Sequence, residues 1–341
     1  MKLAIHNGDG WNLAWKKYCD SRNISFIDIN CYDNNIIKQL KQNGITHLMW
    51  HFDHNKPTDI LMARNVLYSA NKIGIKTFPN FNTCWHFDDK VSQKYLLEAI
   101  DAPLVPSYAF YSKREALEWL KTDAKYPIVA KLRRGAGSYN VQLIRNYAQA
   151  HRYTNKMFGK GIHPTPGFFA DTKNKLKVAG NFSGIITRLK KAPNFFKVMY
   201  SSKKGFPKEK GYVYFQDFIP NNKEDIRIAV VGNKIWSFKR KVRSGDFRAS
   251  GSGMIDYNTL NLPKNLLKIS FEISKKLNTQ SIAFDFVKDS NDNYFIVEIS
   301  YGYQGDAINN CHGYWDENLN FTEGHFYPEP IIIQDFINEN C

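Results

Sequence analysis

The sequence predicts a mixed α/β and α+β protein, with a parallel α/β domain at the N-terminus followed by a two-lobed region. Three observations predict it. Over residues 1–84 short apolar runs alternate with amphipathic helical patterns, the rhythm of strand–helix–strand units in a parallel sheet. Farther along, two pairs of period-two runs are joined by turn residues, within Tyr126–Ile144 and within Ser281–Ser300. The chain has 341 residues, whereas single cores stop growing near roughly 250 to 300 residues. The expected boundaries are 1–84 for the N-terminal domain, 85–217 for a small lobe carrying a basic insertion at 155–210, and 218–341 for a C-terminal lobe.

In chain order, Lys2–His6, Ile24–Asn30, Thr46–His51 and Lys76–Asn80 read as strands, with helices near 11–22, 33–42 and 58–73. Ligands of parallel sheets bind at the carboxyl ends of strands. That rule draws attention to His6, Asn7 and Asp9, to His51, Asp53 and His54, and to Asn80 and Asn82. The HFDH group is read as substrate contact or loop polarity before metal, since no further ligand accompanies His51 and His54. A helix over Lys90–Ala99 stops at the breakers Pro103 and Pro106. Ser107–Ser112 then reads as a strand, Lys113–Lys121 as a helix, Tyr126–Ile144 as two strands about a glycine-containing turn, and 145–154 as a helix. Tyr212–Asn221 is an apolar strand with a polar end, and Ile331–Asn340 a closing helix. The tyrosine- and tryptophan-rich stretch before that helix suits stacking on sugars or plain core packing.

Composition narrows the possibilities. Hydrophobic residues make up 43% and aromatic residues 15%, as in a folded enzyme. No run approaches the roughly 18 apolar residues of a membrane span, and the opening MKLAIHNGDGW lacks a signal-peptide core, so a cytoplasmic protein is expected. Five scattered cysteines without a CxxC pair indicate reduced thiols rather than a disulfide framework or zinc ribbon. Of the net +15, much is concentrated at 155–210, where twelve lysines and Arg188 stand against Asp171 and Glu209 and leave +11. Such a segment is either a solvated lysine-rich insertion or the dock of an anion: nucleotide phosphates, an acidic saccharide or an anionic membrane surface. The arginine–aromatic pattern of an RNA module is missing, so no nucleic acid partner is expected.

The most informative stretch is Asp225–Ser300. Asp285 and Glu298 sit in alternating apolar runs separated by the turn Ser290–Asn293, which would set them opposite each other across an antiparallel hairpin. A carboxylate in a buried strand needs a cation, and two so close repel unless a divalent ion bridges them. Hard oxygen donors in small number suit magnesium with phosphate. The plainer alternative is a pair of solvent-facing carboxylates. In IWSFKRKVRSG, strand alternation puts Lys239, Lys241 and Arg243 on one face and Arg240 on the other, and cations so dense must face solvent or phosphates. Lys131, flanked by Val129, Ala130 and Leu132, needs an anion, and the glycine turn after it has N–H groups able to hold phosphate oxygens, unless it is only a structural hairpin.

The order DIR, GDFR, aspartate strand and glutamate strand, spanning Trp85–Gly305, resembles the ATP-grasp superfamily, in particular its glutamate-ligase branch. The stretch FPNFNTCWHFDDKVSQKYLLEAIDAPLVPSY and the WDENL ending also resemble ATP-grasp proteins of bacterial surface-polysaccharide biosynthesis. The resemblance implies ATP and Mg2+ as cofactors, a carboxylate substrate activated as an acyl phosphate, and an amine or amino-acid acceptor. It implies that Lys90, in the pair Asp89–Lys90, and Lys131 meet phosphates, with Gly135, Gly137 and Ser138 in the phosphate loop; Lys239, on its cationic strand face, is counted with the cofactor-binding residues. Gln216, Asp217, Phe218 and Ile219 hold the places that meet adenine and ribose. Arg248 would contact the transferred phosphoryl group, assisted by Arg240 or Arg243. Asp285 and Glu298 would bind metal, together with Ser300, which stands where the family has asparagine. The loop, too, departs from the pattern, with Ser138 and Asn140 in place of further glycines.

Overall fold

The computed structural model describes residues 1–54, 56–135, 140–164, 207–243, 245–248 and 252–338. Its first layer is the parallel sheet. Strands β1 (Leu3–His6), β2 (Phe26–Ile29), β3 (His47–Met49) and β4 (Lys76–Phe78) lie in the order β2-β1-β3-β4, every pair parallel. Helices α1 (Trp11–Ser21), α2 (Ile36–Gln42) and α3 (Pro57–Lys72) connect them. β1 is buried at all four residues, as a strand covered on both faces must be. The second helix starts later than the pattern suggested because Asp33 and Asn30 close a turn first, the Asn30 amide donating to Asp33 Oδ1 at 2.7 Å.

A short helix α4 (Phe81–Cys84) and α5 (Lys90–Ala99) lead into the small lobe, a sheet of order β5-β8-β6-β7 whose neighbours are all antiparallel. It comprises β5 (Ser107–Phe110), β6 (Ile128–Lys131), β7 (Val141–Ile144) and β8 (Val213–Asp217). Helices α6 (Lys113–Thr122) and α7 (Tyr147–Met157) cover one side, burying Leu120, Tyr153 and Met157 against Ile128, Ala130 and Phe215. Ser112 and Asn146 cap these helices through their side chains.

The C-terminal sheet runs β13-β12-β9-β10-β14-β15, with β11 paired to β10. Its strands are β9 (Glu224–Val231), β10 (Lys234–Lys241), β11 (Ile255–Asp256), β12 (Ser281–Lys288), β13 (Tyr294–Ser300), β14 (Gly313–Asp316) and β15 (Phe321–Glu323). Three helices accompany it: α8 (Lys264–Leu277), α9 (Gly305–Asn309) and α10 (Pro328–Asn338). The closing helix begins earlier than expected, on Pro328, whose fixed φ and missing N–H suit a first turn.

Period two gives this sheet two different faces. Ile226, Ile228, Val230, Ile282, Phe284 and Phe286 pack under α8 against Leu266, Leu267 and Phe271. Each such side chain contributes about 1.5 to 3 kcal/mol when fully buried. Ala229, Val231, Trp236, Phe238 and Ala283 point the other way and meet Leu3, Ile5, Trp15, Met49 and Phe78 of the N-terminal domain. The aromatic stretch near the C-terminus is packing in part: Trp315 is buried in the core under α8, and Tyr314 lies against Trp236 with ring centroids 5.4 Å apart. Cys19, Cys31, Cys84 and Cys311 are buried and unpaired, and Cys341 lies outside the described residues. No helix among the described residues is long and apolar enough to cross a membrane.

Candidate active site

Alternation carries Asp225, Arg227, Arg240 and Asp285 onto the same face as Ala229, Phe238 and Ala283, farther along the strands and beside the small lobe. Asp285 stands directly opposite Glu298 in the β12–β13 ladder, with a register shift immediately after it. The small lobe joins there through Val105, whose N–H donates to Ile296 O at 3.0 Å.

Two buried lysines converge on Glu298. Lys90 opens α5, whose N-cap Asp89 accepts from Ser92 N–H at 3.0 Å. The Lys90 Nζ lies 3.0 Å from Glu298 Oε1 and donates to Gly135 O at 2.9 Å. Burial disfavours its ammonium, but Glu298 and Asp88 outweigh that and hold Lys90 above its ordinary pKa. Lys131 ends β6, donating to Gln216 Oε1 at 2.6 Å and Val297 O at 3.1 Å. Here burial wins, seconded by the nearby Lys90 charge, and the pKa falls to about 8 against the pull of Glu298 and Asp285. Gly135 anchors the turn beyond: its N–H donates to Asp88 Oδ1 at 2.7 Å, its φ is +115°, and a Cβ there would run into the Asn140 amide. Only glycine fits. Gly137 and Ser138 lie outside the described residues.

Asp285 is met differently from the sequence expectation. In place of a metal alone, two arginines hold it: Arg227 Nε and Nη2 at 2.7 and 2.8 Å, and Arg240 Nη2 at 2.8 Å. Burial by itself would raise this carboxyl group, but the two guanidiniums override it and keep it well below the usual carboxylate range. Arg240 is also bidentate to Asp225, at 2.7 and 2.6 Å. Its buried position makes it a brace between two carboxylates. Arg227 was legible only as the last letter of DIR, and its role needed the pairing of β9 with β12. Two further residues had no sequence signal: Asp88, and the buried Glu209. Glu209 accepts from Tyr212 OH at 3.0 Å and faces Arg133 and Arg134 at 3.7 and 3.9 Å, under the same turn.

The Ser300 hydroxyl turns onto its own chain, donating to Gly302 O and accepting from Gly302 N–H, each at 3.1 Å. Among the described residues no group of three or more His, Cys, Asp or Glu gathers as a metal cage. Two adjacent carboxylates, Asp285 deeply buried and Glu298 partly open, are a donor set that leaves most coordination positions to phosphate and water, which fits magnesium.

The remaining predicted residues are spread more widely. The Gln216 side chain is committed inward, bonding Ser107 Oγ at 3.0 Å as well as Lys131. Asp217, Phe218 and Ile219 line a cleft of about 900 Å³ together with Pro106, Phe286 and Tyr294. Lys239 lines this cleft too, but its strand position pairs with Ile226 on the α8 face, and it faces Glu224 at 3.2 Å. It therefore does not share the face of Asp285. Arg248 holds Asp246 through Nε at 2.9 Å and Nη2 at 2.8 Å, and Arg243 O accepts from Asp246 N–H at 3.0 Å. The described contacts thus tie Arg243 and Arg248 to their own loop.

At the N-terminal domain, two of the three polar strand ends come together. His51 stacks on Trp11 with centroids 4.3 Å apart, and Asn12 ties the loops after β1 and β3 by accepting from His51 N–H at 3.0 Å and donating to His51 O at 2.9 Å. Burial lowers His51 to about pKa 3, so it is a neutral ring. Asn80 instead caps α4, accepting from Thr83 N–H at 2.8 Å. Most of the basic insertion, residues 165–206, lies outside the described residues.

Comparison with known proteins bears on the fold. The RimK-like ATP-grasp domain family matches residues 197–314. No curated protein sequence matches the chain. Among solved structures, N5-carboxyaminoimidazole ribonucleotide synthetase from Thermotoga maritima superposes with a TM-score of 0.56 at 13% identity, over 99% of this chain and 76% of that one. D-cycloserine synthetase DcsG gives 0.55 at 10% identity, over 91% and 93%. The biotin carboxylase domain of Hydrogenobacter thermophilus 2-oxoglutarate carboxylase, solved with MgADP and bicarbonate, gives 0.54 at 13% identity over 89% of this chain, which spans 64% of that one. The chain has the ATP-grasp fold.

Proposed function

We propose that this ATP-grasp protein is an ATP- and Mg2+-dependent ligase that joins a carboxylate to an amine. The observation that carries the reading is the convergence of Lys90 and Lys131, both buried, on Glu298 and its ladder partner Asp285, beside the Gly135 turn. Two buried lysines set close together beside a glycine turn suit a polyphosphate, whose charge they would neutralise at fixed positions.

Lys90 and Lys131 would hold the nucleotide phosphates, and Asp217, Phe218 and Ile219 would border its base. Asp285 and Glu298, with Ser300, would hold Mg2+. The metal would supply positive charge to offset that of the phosphates. Arg227 and Arg240 keep Asp285 ionised and aligned, while Arg248 would face the transferred phosphoryl group. A carboxylate oxygen attacks the γ-phosphorus and ADP leaves, giving an acyl phosphate. The amine nitrogen then attacks the acyl carbon, inorganic phosphate departs with the C–O electron pair, and the nitrogen loses a proton to leave an amide. Positioning two reactants this way supplies much of the barrier reduction.

The carboxylate we favour is a uronic acid or other acidic sugar of a bacterial surface polysaccharide, on the basis of the basic insertion and the sequence resemblance. The RimK-like match over 197–314 favours a second reading, transfer of glutamate to a peptide or protein. Residues 1–84 would serve the substrate, 85–217 and 218–341 the nucleotide, in the cytoplasm where ATP is abundant. A catalytically silent nucleotide-binding scaffold is the remaining alternative. Magnesium-dependent ADP release, screened with uronic acids against amines and with glutamate against peptides, separates these. Release with a sugar acid supports our reading; release only with a polypeptide acceptor replaces it, and ATP binding without release under any pairing leaves the scaffold.

A further inference from the structure

The parallel sheet contains a second place built for negative charge. β1 pairs with β2 on one side and β3 on the other, so the chain leaves β1 and β3 in opposite directions, and the crevice expected between the two loops is bridged by Asn12. In open parallel sheets such a switch point is where ligands sit. The loop after β1 is Asn7-Gly8-Asp9-Gly10, running into the 11-residue helix α1, which has no side-chain cap and no acid in its first turn. No described residue accepts a hydrogen bond from the backbone N–H groups of Gly8 through Leu13. A run of unpartnered N–H groups at a helix start attracts an anion.

A separate feature points into the same loop. His6 is 2% exposed, and its Nδ1 accepts from Cys31 N–H at 3.2 Å, which places the ring proton on Nε2. Nε2 makes no hydrogen bond among the described residues, although the ring is packed on Trp50 and Tyr32, with centroids 4.7 and 4.9 Å away. It faces Gly8: a Cβ added there would sit 3.5 Å from His6 Nε2, 3.1 Å from Cδ2 and 3.0 Å from Asn12 Nδ2. A side chain at Gly8 would thus crowd His6 and Asn12, whereas Gly10, with φ +62° and nothing near, is glycine for its backbone. Lys16 adds positive potential, 3.5 Å from Asn7 Oδ1, though Asp28 already pairs with it at 2.7 Å.

We propose that His6 Nε2, the Gly8–Gly10 loop and the first turn of α1 form an oxyanion site that takes the phosphate or carboxylate group of the non-nucleotide substrate. The crevice abuts the segment leaving Glu298: Tyr301 and His51 have centroids 5.5 Å apart, and Tyr303 and Trp11 5.2 Å. A substrate held here by its anion extends toward the carboxylate pair. The identification of the anion as substrate rests on the ligase reading; the binding itself does not.

The test is a titration of the full chain, without nucleotide, with inorganic phosphate and separately with glucuronate, followed by amide NMR shifts and calorimetry. Saturable shifts centred on Gly8–Asn12 are expected with at least one probe. Which probe acts tells a phosphate site from a carboxylate site. His6→Phe should weaken that binding about tenfold or more, as loss of a hydrogen bond to a charged group does, and Gly8→Ala should weaken it through the methyl group crowding His6 and Asn12, while ATP affinity stays unchanged. His6→Gln, which keeps a donor, should restore part of it, and Asp9→Asn should tighten it. Binding of both probes that is unaffected by Gly8→Ala and His6→Phe, or shifts absent from residues 8–12, overturns the site. If wild-type protein binds the probe but not ATP, the ligase reading fails and the oxyanion site stands.

Discussion

The face around Asp285 and the crevice above β1 treat negative charge in opposite ways. The first uses full charges held by full charges: Arg227 and Arg240 on Asp285, Lys90 on Glu298. The second uses neutral donors, the ring N–H of His6 and a row of backbone N–H groups, with Lys16 already matched to Asp28. Burial explains the difference. A charge removed from water must be matched where it stands, so the deep site is a network in which each partner's loss strands another. N–H donors at an open strand end remain hydrated until a ligand replaces the water. The deep site should therefore be sensitive to single substitutions and to pH, and the crevice to shape.

The most damaging test of that contrast is Glu298→Gln, which keeps shape and removes the charge facing Lys90. Turnover should fall by about a thousandfold, the upper range for losing one electrostatic contact in an active site, with the fold retained. Undiminished ADP release would remove Glu298 from the chemistry. Arg227→Ala comes next, because it leaves Asp285 buried with only the shared Arg240. A loss of about 3 to 5 kcal/mol in denaturant unfolding is expected for a broken buried pair, and a loss below 1 kcal/mol would show that the network is not structural.

Lys131 supplies a smaller effect with a sign. Lys131→Ala should weaken ATP binding by about 1.5 to 3 kcal/mol, measurable by calorimetry. In the wild type its folded pKa is lowered to about 8, and bound phosphates would raise it. Below that pH the lysine is already charged and ATP affinity should be flat. As pH rises through about 8 the free protein loses the proton that the complex retains, so affinity should decline toward tenfold per pH unit. A profile unchanged from pH 7 to 9 would contradict the burial of this group. For unfolding the sign is reversed: a charged lysine is disfavoured in the folded state, so this group lowers stability fully below about 8 and progressively less above it. Lys239→Ala should do least. The pair with Glu224 is half-buried at the rim and Lys239 lies on the opposite face of the sheet from Asp285, so about 0 to 1 kcal/mol in stability and less than a threefold change in ATP affinity are expected. A larger loss of affinity would show that Lys239 reaches the nucleotide from its own face of the sheet and redraw the comparison.

Legibility in the sequence followed the range of the interaction. The strand–helix rhythm of 1–84, the capped start of α5 at Asp89 and the hairpin bearing Asp285 and Glu298 were all readable, because capping and alternation act within a few residues. Helix α8 was not anticipated, although its apolar spacing and the left-handed Asn278 at its end are ordinary helix signals. Lys239 shows the limit. Alternation correctly separated it from Arg240, but nothing local says which face of a sheet meets the helix and which meets a ligand.

By itself, the sequence determined that two carboxylates would stand opposite each other, that Lys131 would lie in an apolar strand, and that polar residues would follow β1. Each is a consequence of backbone geometry acting on neighbouring residues. Tertiary structure decided who meets whom. Arg227 reaches Asp285 because β9 pairs with β12, Lys90 reaches Glu298 because α5 packs beside β13, and His6 faces Gly8 because Cys31 takes its other nitrogen. Those partners come from distant parts of the chain, and buried charges and donors are satisfied in space, where sequence separation has no bearing on which group is nearest.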